Sequence, residues 1–202
     1  MSDADRNALI YVVDDDADLG GAVARLLRRQ KYSAEPFVSP EQLLTAYAGA
    51  PAACIITDVM MGELDGFSFA ERVRSLDPAV AIIFMTAWPT TANAVDAIRR
   101  YGGLEYLEKP IDQARLLAAV AEGVAWSAKK RFQAEKLSRL TRRERQVFAL
   151  LIRGLSTKAI AAELGLSPKT IEDHRARINL KTGATGLAQL IALADGWEPP
   201  KE

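Results

Sequence analysis

The first 110 residues alternate short apolar runs with longer amphipathic stretches, and this alternation limits the possible folds more than any other feature of the sequence. Four mostly apolar runs are LIYVV (9–13), AACIIT (52–57), VAIIFM (80–85) and LEYL (104–107). A weaker run, SAEPFV (33–38), contains Pro36, which suits a strand end or a sheet edge. Runs this short and apolar predict strands that are buried on both faces, as in a parallel sheet.

Helical patterns separate these strands, with apolar residues three or four positions apart. The stretches are LGGAVARLLRRQ, PEQLLTAYAG, GFSFAERVRSL and TANAVDAIRRYG. Strands that alternate with helices predict an α/β domain whose sheet is covered on both sides. Five such units fit a flavodoxin-like (βα)5 doubly wound parallel sheet.

The rest of the chain is predicted to be helical. The fifth helix begins after Pro110 with Asp112 as its N-cap, and without early Gly or Pro signals we expect one long helix over residues 112–137 that continues as a linker. Four short helices are then predicted, at 141–152, 156–163, 167–181 and 185–195. The predicted domains are an α/β domain (1–122), a helical linker (123–137) and an all-α domain (138–202).

Charge is distributed unevenly along the 202 residues, although the net charge is zero. Residues 1–125 contain 11 Lys and Arg against 18 Asp and Glu, whereas residues 126–202 contain 15 against 8. An acidic domain joined to a basic one makes the basic half a candidate for binding nucleic acid. We hypothesise that the acidic half covers the basic half, in which case residues 138–202 alone should bind DNA more tightly than the whole chain.

Several classes of protein are disfavoured by composition. Cys54 is the only cysteine, so no intramolecular disulfide can form, and we expect it to be a buried strand residue. His174 is the only histidine, which excludes His-rich metal sites and argues against Ser-His or Cys-His catalysis elsewhere in the chain. The N-terminus is polar and acidic, unlike a signal peptide, and no apolar run approaches the ~18 residues of a membrane helix. We therefore expect a cytoplasmic protein.

Polar residues follow the strand ends of the predicted sheet, and the carboxyl ends of parallel strands meet at one edge. These residues are Asp14, Asp15 and Asp16 after the first strand, Asp58 after the third, Thr86 at the end of the fourth and Lys109 after the fifth. Clustered carboxylates suit Mg²⁺, which would also relieve their mutual repulsion. Asp16 is better explained as the N-cap of the first helix.

The motifs VVDDD, IITDV, FMTA and YLEKP occur in order, and over residues 8–122 the chain resembles the CheY-like receiver domain of two-component response regulators. The resemblance implies that Asp58 accepts a phosphoryl group from a sensor histidine kinase. It implies that Mg²⁺ is held by Asp14, Asp15, Asp58 and the backbone carbonyl of Met60. Lys109 would pair with the phosphoryl oxygens, Thr86 would hydrogen-bond them, and Tyr106 would act as the aromatic switch.

Two positions depart from the receiver pattern. Gly62 stands four residues after Asp58, where the family usually has proline, and glycine loosens this loop. Trp88 and Pro89 follow Thr86, where smaller or more polar residues are common. Trp88 borders the site and could restrict access to it, so both departures bear on the lifetime of the phosphoryl group.

The segment 140–184 has the spacing of a helix-turn-helix. Thr141 and Glu144 form a capping-box pattern, Gly154 and Gly165 end the first two helices, and Ser167 with Pro168 begins the third. The motifs LTRRERQV, STKAIAAELGLSPKTIEDHRARI and KTGA resemble the C-terminal domain of the FixJ/NarL class, also called LuxR-type, over residues 138–195. Thr157 is a modest departure, because the family often has Asn there.

This second resemblance implies that residues 167–181 form the recognition helix of a DNA-binding domain. Its groove-facing positions would be Lys169, Thr170, Glu172, Asp173, Ala176 and Arg177. The cations that could neutralise phosphates are Lys169, Arg175, Arg177 and Lys181. Glu172 could read cytosine, or it could face solvent or an arginine. His174 fits packing or a backbone contact, and the apolar residues of the last helix fit core or dimer packing.

Together the motifs predict a response regulator transcription factor in which phosphorylation of Asp58 controls dimerisation and sequence-specific DNA binding. The expected partners are a sensor histidine kinase, promoter DNA and, when phosphorylated, a second copy of the chain, with no membrane. Dimerisation would use the fourth helix, fifth strand and fifth helix, including Val95, Ile98, Arg99 and Tyr106. No enzymatic activity is expected beyond self-phosphorylation and self-dephosphorylation.

Two alternative functions fit the sequence less well. A haloacid dehalogenase-type phosphatase needs Asp, any residue, Asp, any residue, then Thr or Val at the end of the first strand, and Asp14, Asp16 and Asp18 do not fit that pattern. A regulator that binds DNA regardless of phosphorylation is disfavoured because Asp58, Thr86 and Lys109 are all present.

Overall fold

The computed structural model describes residues 7–62 and 64–197. The chain divides into two compact units, Met1–Lys129 and Lys130–Glu202, and the division falls inside a long helix. Among the described residues, no helix combines the length and apolarity needed to cross a bilayer.

The first unit is built on a five-stranded, fully parallel sheet. Its strands are β1 (Leu9–Val13), β2 (Ser33–Phe37), β3 (Cys54–Asp58), β4 (Ala81–Thr86) and β5 (Glu105–Glu108). The strand order is β2-β1-β3-β4-β5, so β2 is an edge strand, as Pro36 predicted. This arrangement confirms the predicted doubly wound (βα)5 fold.

The helices of this unit are α1 (Ala17–Arg29), α2 (Pro40–Tyr47), α3 (Gly66–Leu76), α4 (Thr91–Arg99) and α5 (Gln113–Ser138), which crosses the division. Two predicted N-caps are confirmed. The Asp16 carboxylate accepts hydrogen bonds from the backbone N–H groups of Asp18 and Leu19, at 3.0 and 3.1 Å. The Asp112 carboxylate accepts from the backbone N–H of Arg115 at 2.7 Å.

Two hydrophobic layers cover the sheet, because successive strand residues face opposite sides. Ile56 and Ile83 belong to the layer that contains Leu27 of α1 and Val120 of α5. Their neighbours Ile55 and Ile82 belong to the other layer, with Leu43 of α2, Phe69 of α3 and Ala97 of α4. Both faces of β3 and β4 are thus buried, which explains why these strands read as continuous apolar runs.

The second unit contains the last part of α5 and the helices α6 (Arg142–Ile152), α7 (Thr157–Leu164), α8 (Pro168–Thr182) and α9 (Leu187–Leu193). Phe148, Ile160, Ile171 and Ile178 are fully buried and join α6, α7 and α8 in one core. Gly165 ends α7 with φ at +64°, a conformation that glycine adopts without strain. The helical C-terminal domain is therefore as predicted.

Candidate functional site

The predicted acidic site lies at the carboxyl ends of the strands, where the topology of the sheet brings distant residues together. Asp14 follows β1, Asp58 and Thr86 close β3 and β4, and Lys109 follows β5. Asp14, Asp58 and Thr86 are only 1%, 6% and 1% exposed, so their polar groups need hydrogen-bond partners within the protein.

Lys109 joins two of the carboxylates. Its Nζ donates to Asp14 Oδ2 at 2.8 Å and to Asp58 Oδ2 at 2.7 Å. Its backbone N–H donates to the carbonyl of Thr86 at 2.7 Å, which holds Lys109 beside the end of β4. The three residues are 95 and 51 positions apart in sequence, and the parallel sheet is what brings them together.

The environment shifts the pKa of two of these groups. Burial raises the pKa of the Asp14 carboxyl above its ordinary value, although hydrogen bonds from Lys109 and the Asp16 backbone oppose this. Burial alone would lower the pKa of the Lys109 ammonium, yet hydrogen bonds and charge from Asp14 and Asp58 raise it. Lys109 therefore keeps its proton at neutral pH and remains a fixed cation in the site.

A group of carboxylates at this edge could hold a metal ion. Within the described parts of the chain, Asp14, Asp15 and Asp58 each offer one oxygen, and these oxygens lie within 4.8 Å of one another. Asp15 is exposed, whereas the other two are buried. Three carboxylates against one ammonium leave two uncompensated negative charges, and hard oxygen ligands suit a divalent cation. Asp16 is committed to capping α1.

The loop after β3 shapes the surroundings of Asp58. The backbone N–H of Met60 donates to Asp58 Oδ1 at 3.2 Å, which fixes the second carboxylate oxygen. Gly66 begins α3 so close to β3 that an added Cβ would lie 2.1 Å from the backbone oxygen of Asp58. Gly66 could not be predicted as part of the site, because an Asp-Gly pair before a helix does not reveal which backbone segment the glycine will approach.

Thr86 and Tyr106 occupy neighbouring strands of the same sheet. Thr86 Oγ1 accepts a hydrogen bond from the backbone N–H of Trp88 at 3.1 Å, and the Trp88 side chain is 75% exposed. Tyr106 is 9% exposed, and its buried hydroxyl has no hydrogen-bond partner in the described structure. A buried hydroxyl without a hydrogen-bond partner is energetically costly.

The second unit presents one face of α8 to solvent. Ile171 and Ile178 turn inward, whereas Lys169, Glu172, Asp173 and Ala176 are exposed at helical spacing. Arg175 and Arg177 are also exposed, and Thr170 is half-buried. The exposed face is the part of a helix-turn-helix that can enter a DNA groove.

Four of the predicted DNA-contacting residues, three cations and one acid, have partners within the unit. Lys169 and Asp173 form an exposed pair at 3.5 Å, and Arg175 Nη1 donates to Thr157 Oγ1 at 2.9 Å. Lys181 differs from the others, because its Nζ lies 2.6 Å from Oε2 of Glu144, a side chain that is 2% exposed. The structure thus directs the Lys181 ammonium toward α6.

An acidic edge on a doubly wound parallel sheet, followed by a helix-turn-helix domain, is typical of response regulators. Comparison with known families agrees, since the family described as "Response regulator receiver domain" matches residues 10–121. The family described as "Bacterial regulatory proteins, luxR family" matches residues 138–194. The chain belongs to the response regulators that join a receiver to a LuxR-type DNA-binding domain, and it is a FixJ-like transcriptional regulator.

Known relatives cover nearly the whole chain. "Transcriptional regulatory protein FixJ" of Bradyrhizobium diazoefficiens is 34% identical over 192 residues, covering 92% of this chain and 93% of the relative. "Response regulator protein TodT" of Pseudomonas putida strain F1 is 29% identical over 199 residues, covering 95% and 87%. The crystal structure of full-length FixJ from B. japonicum has a TM-score of 0.56 at 33% identity, covering 93% of this chain and 96% of FixJ. The predicted class is confirmed, and the phosphatase alternative is set aside.

Proposed function

We propose that the chain accepts a phosphoryl group on Asp58 from a sensor histidine kinase, and that this modification controls dimerisation and sequence-specific DNA binding. The observation that carries the proposal is the position of Lys109, whose ammonium contacts both Asp14 and Asp58 at a buried strand edge. An ammonium held beside a carboxylate nucleophile is arranged to neutralise the charge that phosphoryl transfer brings to that carboxylate.

In the proposed transfer, the Asp58 carboxylate attacks the phosphorus of a phosphohistidine. An O–P bond forms, the N–P bond breaks, and the leaving imidazole takes up a proton. Lys109 then pairs with a phosphoryl oxygen, and the hydroxyl of Thr86 donates to another. Phosphoryl transfer needs mainly positioning and charge neutralisation, and these side chains supply both.

Mg²⁺ is the proposed cofactor, held by Asp14, Asp15, Asp58 and the backbone carbonyl of Met60. The fit rests on the charge balance and on the spacing of the carboxylate oxygens, which lie within 4.8 Å of one another. When bound, the ion would supply further neutralisation of the phosphoryl oxygens. The buried Asp14, tied to Lys109, would keep the ligand set in position before phosphorylation.

Phosphorylation is proposed to favour one state of a two-state receiver. Thr86 would move toward the phosphoryl group, and Tyr106, whose hydroxyl has no partner in the described structure, would change position. The face formed by α4, β5 and α5 would then dimerise. Val95 and Ile98 of α4 are 44% and 45% exposed, and such apolar groups suit a contact with a second copy. Arg99 would lie at the same face.

DNA binding is assigned to α8 of a domain spanning 138–202, joined by the linker 123–137 to a receiver spanning 1–122. The proposed contacts are the residues predicted above other than Lys181, whose ammonium pairs with Glu144. Paired recognition helices of a dimer would occupy two half-sites. Because the chain acts on chromosomal DNA, we place its activity in the bacterial cytoplasm.

Footprinting on genomic DNA, with and without acetyl phosphate and Mg²⁺, tests the receiver and the DNA-binding domain together. We expect protected sequences whose protection requires less protein after phosphorylation, and intact-protein mass spectrometry should show one added phosphoryl group. Protection that is unchanged by full phosphorylation would show that DNA binding is not controlled by the receiver. Absence of an added phosphoryl group from the wild type, or its addition to Asp58→Asn as readily as to the wild type, would overturn the assignment of Asp58 as the acceptor.

A further inference from the structure

The first turn of α6 contacts the C-terminal ends of both helices of the helix-turn-helix, α7 and α8. Glu144 Oε2 accepts hydrogen bonds from the Thr141 backbone N–H at 2.8 Å and from Lys181 Nζ at 2.6 Å. Lys181 is in the last turn of α8, so this pair connects the start of α6 to the end of the recognition helix.

The neighbouring residue makes a second connection. Arg143 Nη2 donates to the carbonyl of Leu164, the last residue of α7, at 2.7 Å, while its Nη1 donates to Gln146 Oε1 at 2.8 Å. The carbonyls at the end of a helix lack partners within the helix, so a guanidinium there both satisfies one carbonyl and opposes the negative end of the dipole. Two adjacent residues of α6 thus anchor α7 and α8 separately.

The burial of Glu144 makes its pairing with Lys181 consequential. The Glu144 side chain is 2% exposed, whereas that of Lys181 is 32% exposed. Burial would raise the pKa of the Glu144 carboxyl, but hydrogen bonds from Lys181 and the Thr141 backbone hold it below its ordinary value. Glu144 is therefore ionised at neutral pH, and removing Lys181 would leave a buried carboxylate without its cation.

We propose that the Glu144–Lys181 ion pair, with Arg143, is a clamp that sets the orientation of α8 against α6 and α7 for DNA recognition. Lys181 is then a positioning residue whose charge is used inside the domain, in place of the phosphate contact predicted from sequence. The inference rests on DNA binding through α8. Lys169 is still expected to contact phosphate, because its side chain is 78% exposed and its pairing partner is on the same helix.

The test measures DNA affinity against salt concentration for the full chain with two duplexes, one carrying the footprinted sequence and one scrambled. A phosphate contact contributes about 0.9 to the slope of log affinity against log salt. Lys169→Met should reduce that slope by about 0.9, on both duplexes alike, and leave the unfolding temperature unchanged. Lys181→Met should keep the slope, lower the affinity for the footprinted duplex at least about tenfold, and reduce its preference over the scrambled one.

A conservative substitution and a double substitution distinguish a clamp from a simple loss of stability. Lys181→Arg should restore the affinity, and Lys181→Met should have little further effect on affinity in a Glu144→Gln background, because both substitutions break the same pair. Leu151→Ala, a buried substitution elsewhere in α6, should lower the unfolding temperature while the folded protein keeps its DNA preference. All affinities are taken well below the unfolding transition of each variant.

The proposal is overturned if Lys181→Met lowers the salt slope as Lys169→Met does, or if its effect simply adds to that of Glu144→Gln. It is also overturned if Leu151→Ala loses the preference for the footprinted duplex to the same degree. If the wild type gives no footprint, the failure lies with the proposed function. In that case the salt slope on the scrambled duplex still decides whether Lys181 contacts phosphate.

Discussion

Replacing Gly66 with alanine tests whether the path of the chain after β3 holds the acidic site in place. A Cβ at this position would lie 2.1 Å from the backbone oxygen of Asp58, and 3.0 Å from both the Asp58 carbonyl carbon and Val59 Cα. All three atoms belong to the backbone, so no side chain can rotate away. Gly66 also donates its N–H to the carbonyl of Val59 at 2.9 Å, which ties α3 to this loop.

The size of the disturbance follows from these distances. Moving the oxygen from 2.1 Å to the 3.0 Å that side chains tolerate requires a shift of 0.9 Å between α3 and the end of β3. If the Asp58 carboxylate follows its backbone by that amount, its 2.7 Å contact with Lys109 can lengthen to 3.6 Å and cease to be a hydrogen bond. Overpacking of this kind costs about 1–3 kcal/mol of stability. A misplacement near 1 Å reduces a reaction rate by about 10²-fold.

We therefore expect Gly66→Ala to fold with a lower unfolding temperature and to be phosphorylated by acetyl phosphate and Mg²⁺ about 10²-fold more slowly. Intact-protein mass spectrometry against time measures the rate. Gly49→Ala is the matched control, because the nearest atom to its added Cβ is at 3.8 Å, an ordinary contact. A Gly66→Ala variant with wild-type stability and a wild-type rate would refute this explanation of how Asp58 is positioned.

Three further substitutions or measurements have defined expectations. Lys109→Met removes the cation shared by the two buried carboxylates and should slow phosphorylation by acetyl phosphate about 10²-fold or more, measured by mass spectrometry. Glu144→Gln should make the free energy of unfolding fall less steeply at low pH. The pKa of Glu144 is held below its ordinary 4.5, so its ionised form stabilises the fold above that pH, and this stabilisation is lost as the pH falls. Trp197 fluorescence, with Trp88 and Trp126 replaced by Phe, reports this unfolding. The Cys54 thiol, 0% exposed and with its pKa raised to about 12 by burial, should react with a disulfide reagent only after unfolding.

The two substitutions each have a matched control, and all three expectations have a contrary outcome. Arg115→Met removes an exposed ion pair with Glu105 and should leave the rate of phosphorylation unchanged. An equal loss of rate in Arg115→Met and Lys109→Met would show that the effect is not specific to Lys109. Glu163→Gln changes an exposed carboxylate of α7 and should leave the loss of stability at low pH the same as in the wild type. If Glu144→Gln also leaves it unaltered, the carboxylate contributes no pH-dependent stability. Rapid labelling of Cys54 in the native protein would contradict its burial.

Most of the first unit was predictable because its pattern is local and its topology is regular. Apolar runs marked each strand within a few residues, and Pro36 marked the edge. The convergence of Asp14, Asp58 and Lys109 followed from a general property of parallel sheets, without knowledge of any side-chain contact. Asp16 was separable from its neighbours because helix caps have their own sequence signature.

Contacts that depend on the packing of distant elements were not predictable. The capping-box pattern of Thr141 and Glu144 was visible, but the pairing of Glu144 with Lys181 joins residues 37 positions apart. From the sequence alone, a lysine near the end of the predicted recognition helix therefore cannot be distinguished from one that contacts phosphate. The close approach of Gly66 to the Asp58 backbone was hidden for the same reason, because it depends on the path of the loop between β3 and α3.

Coupling between phosphorylation and DNA binding is measured by titrating the footprinted duplex with wild type, Asp58→Asn and Asp16→Asn, each with and without acetyl phosphate and Mg²⁺. Asn also caps helices well, so Asp16→Asn changes a nearby carboxylate while preserving the fold. We predict that phosphorylation increases the DNA affinity of wild type and of Asp16→Asn, and that Asp58→Asn shows no increase. An equal increase in Asp58→Asn, or none in phosphorylated wild type, would contradict control of DNA binding through Asp58.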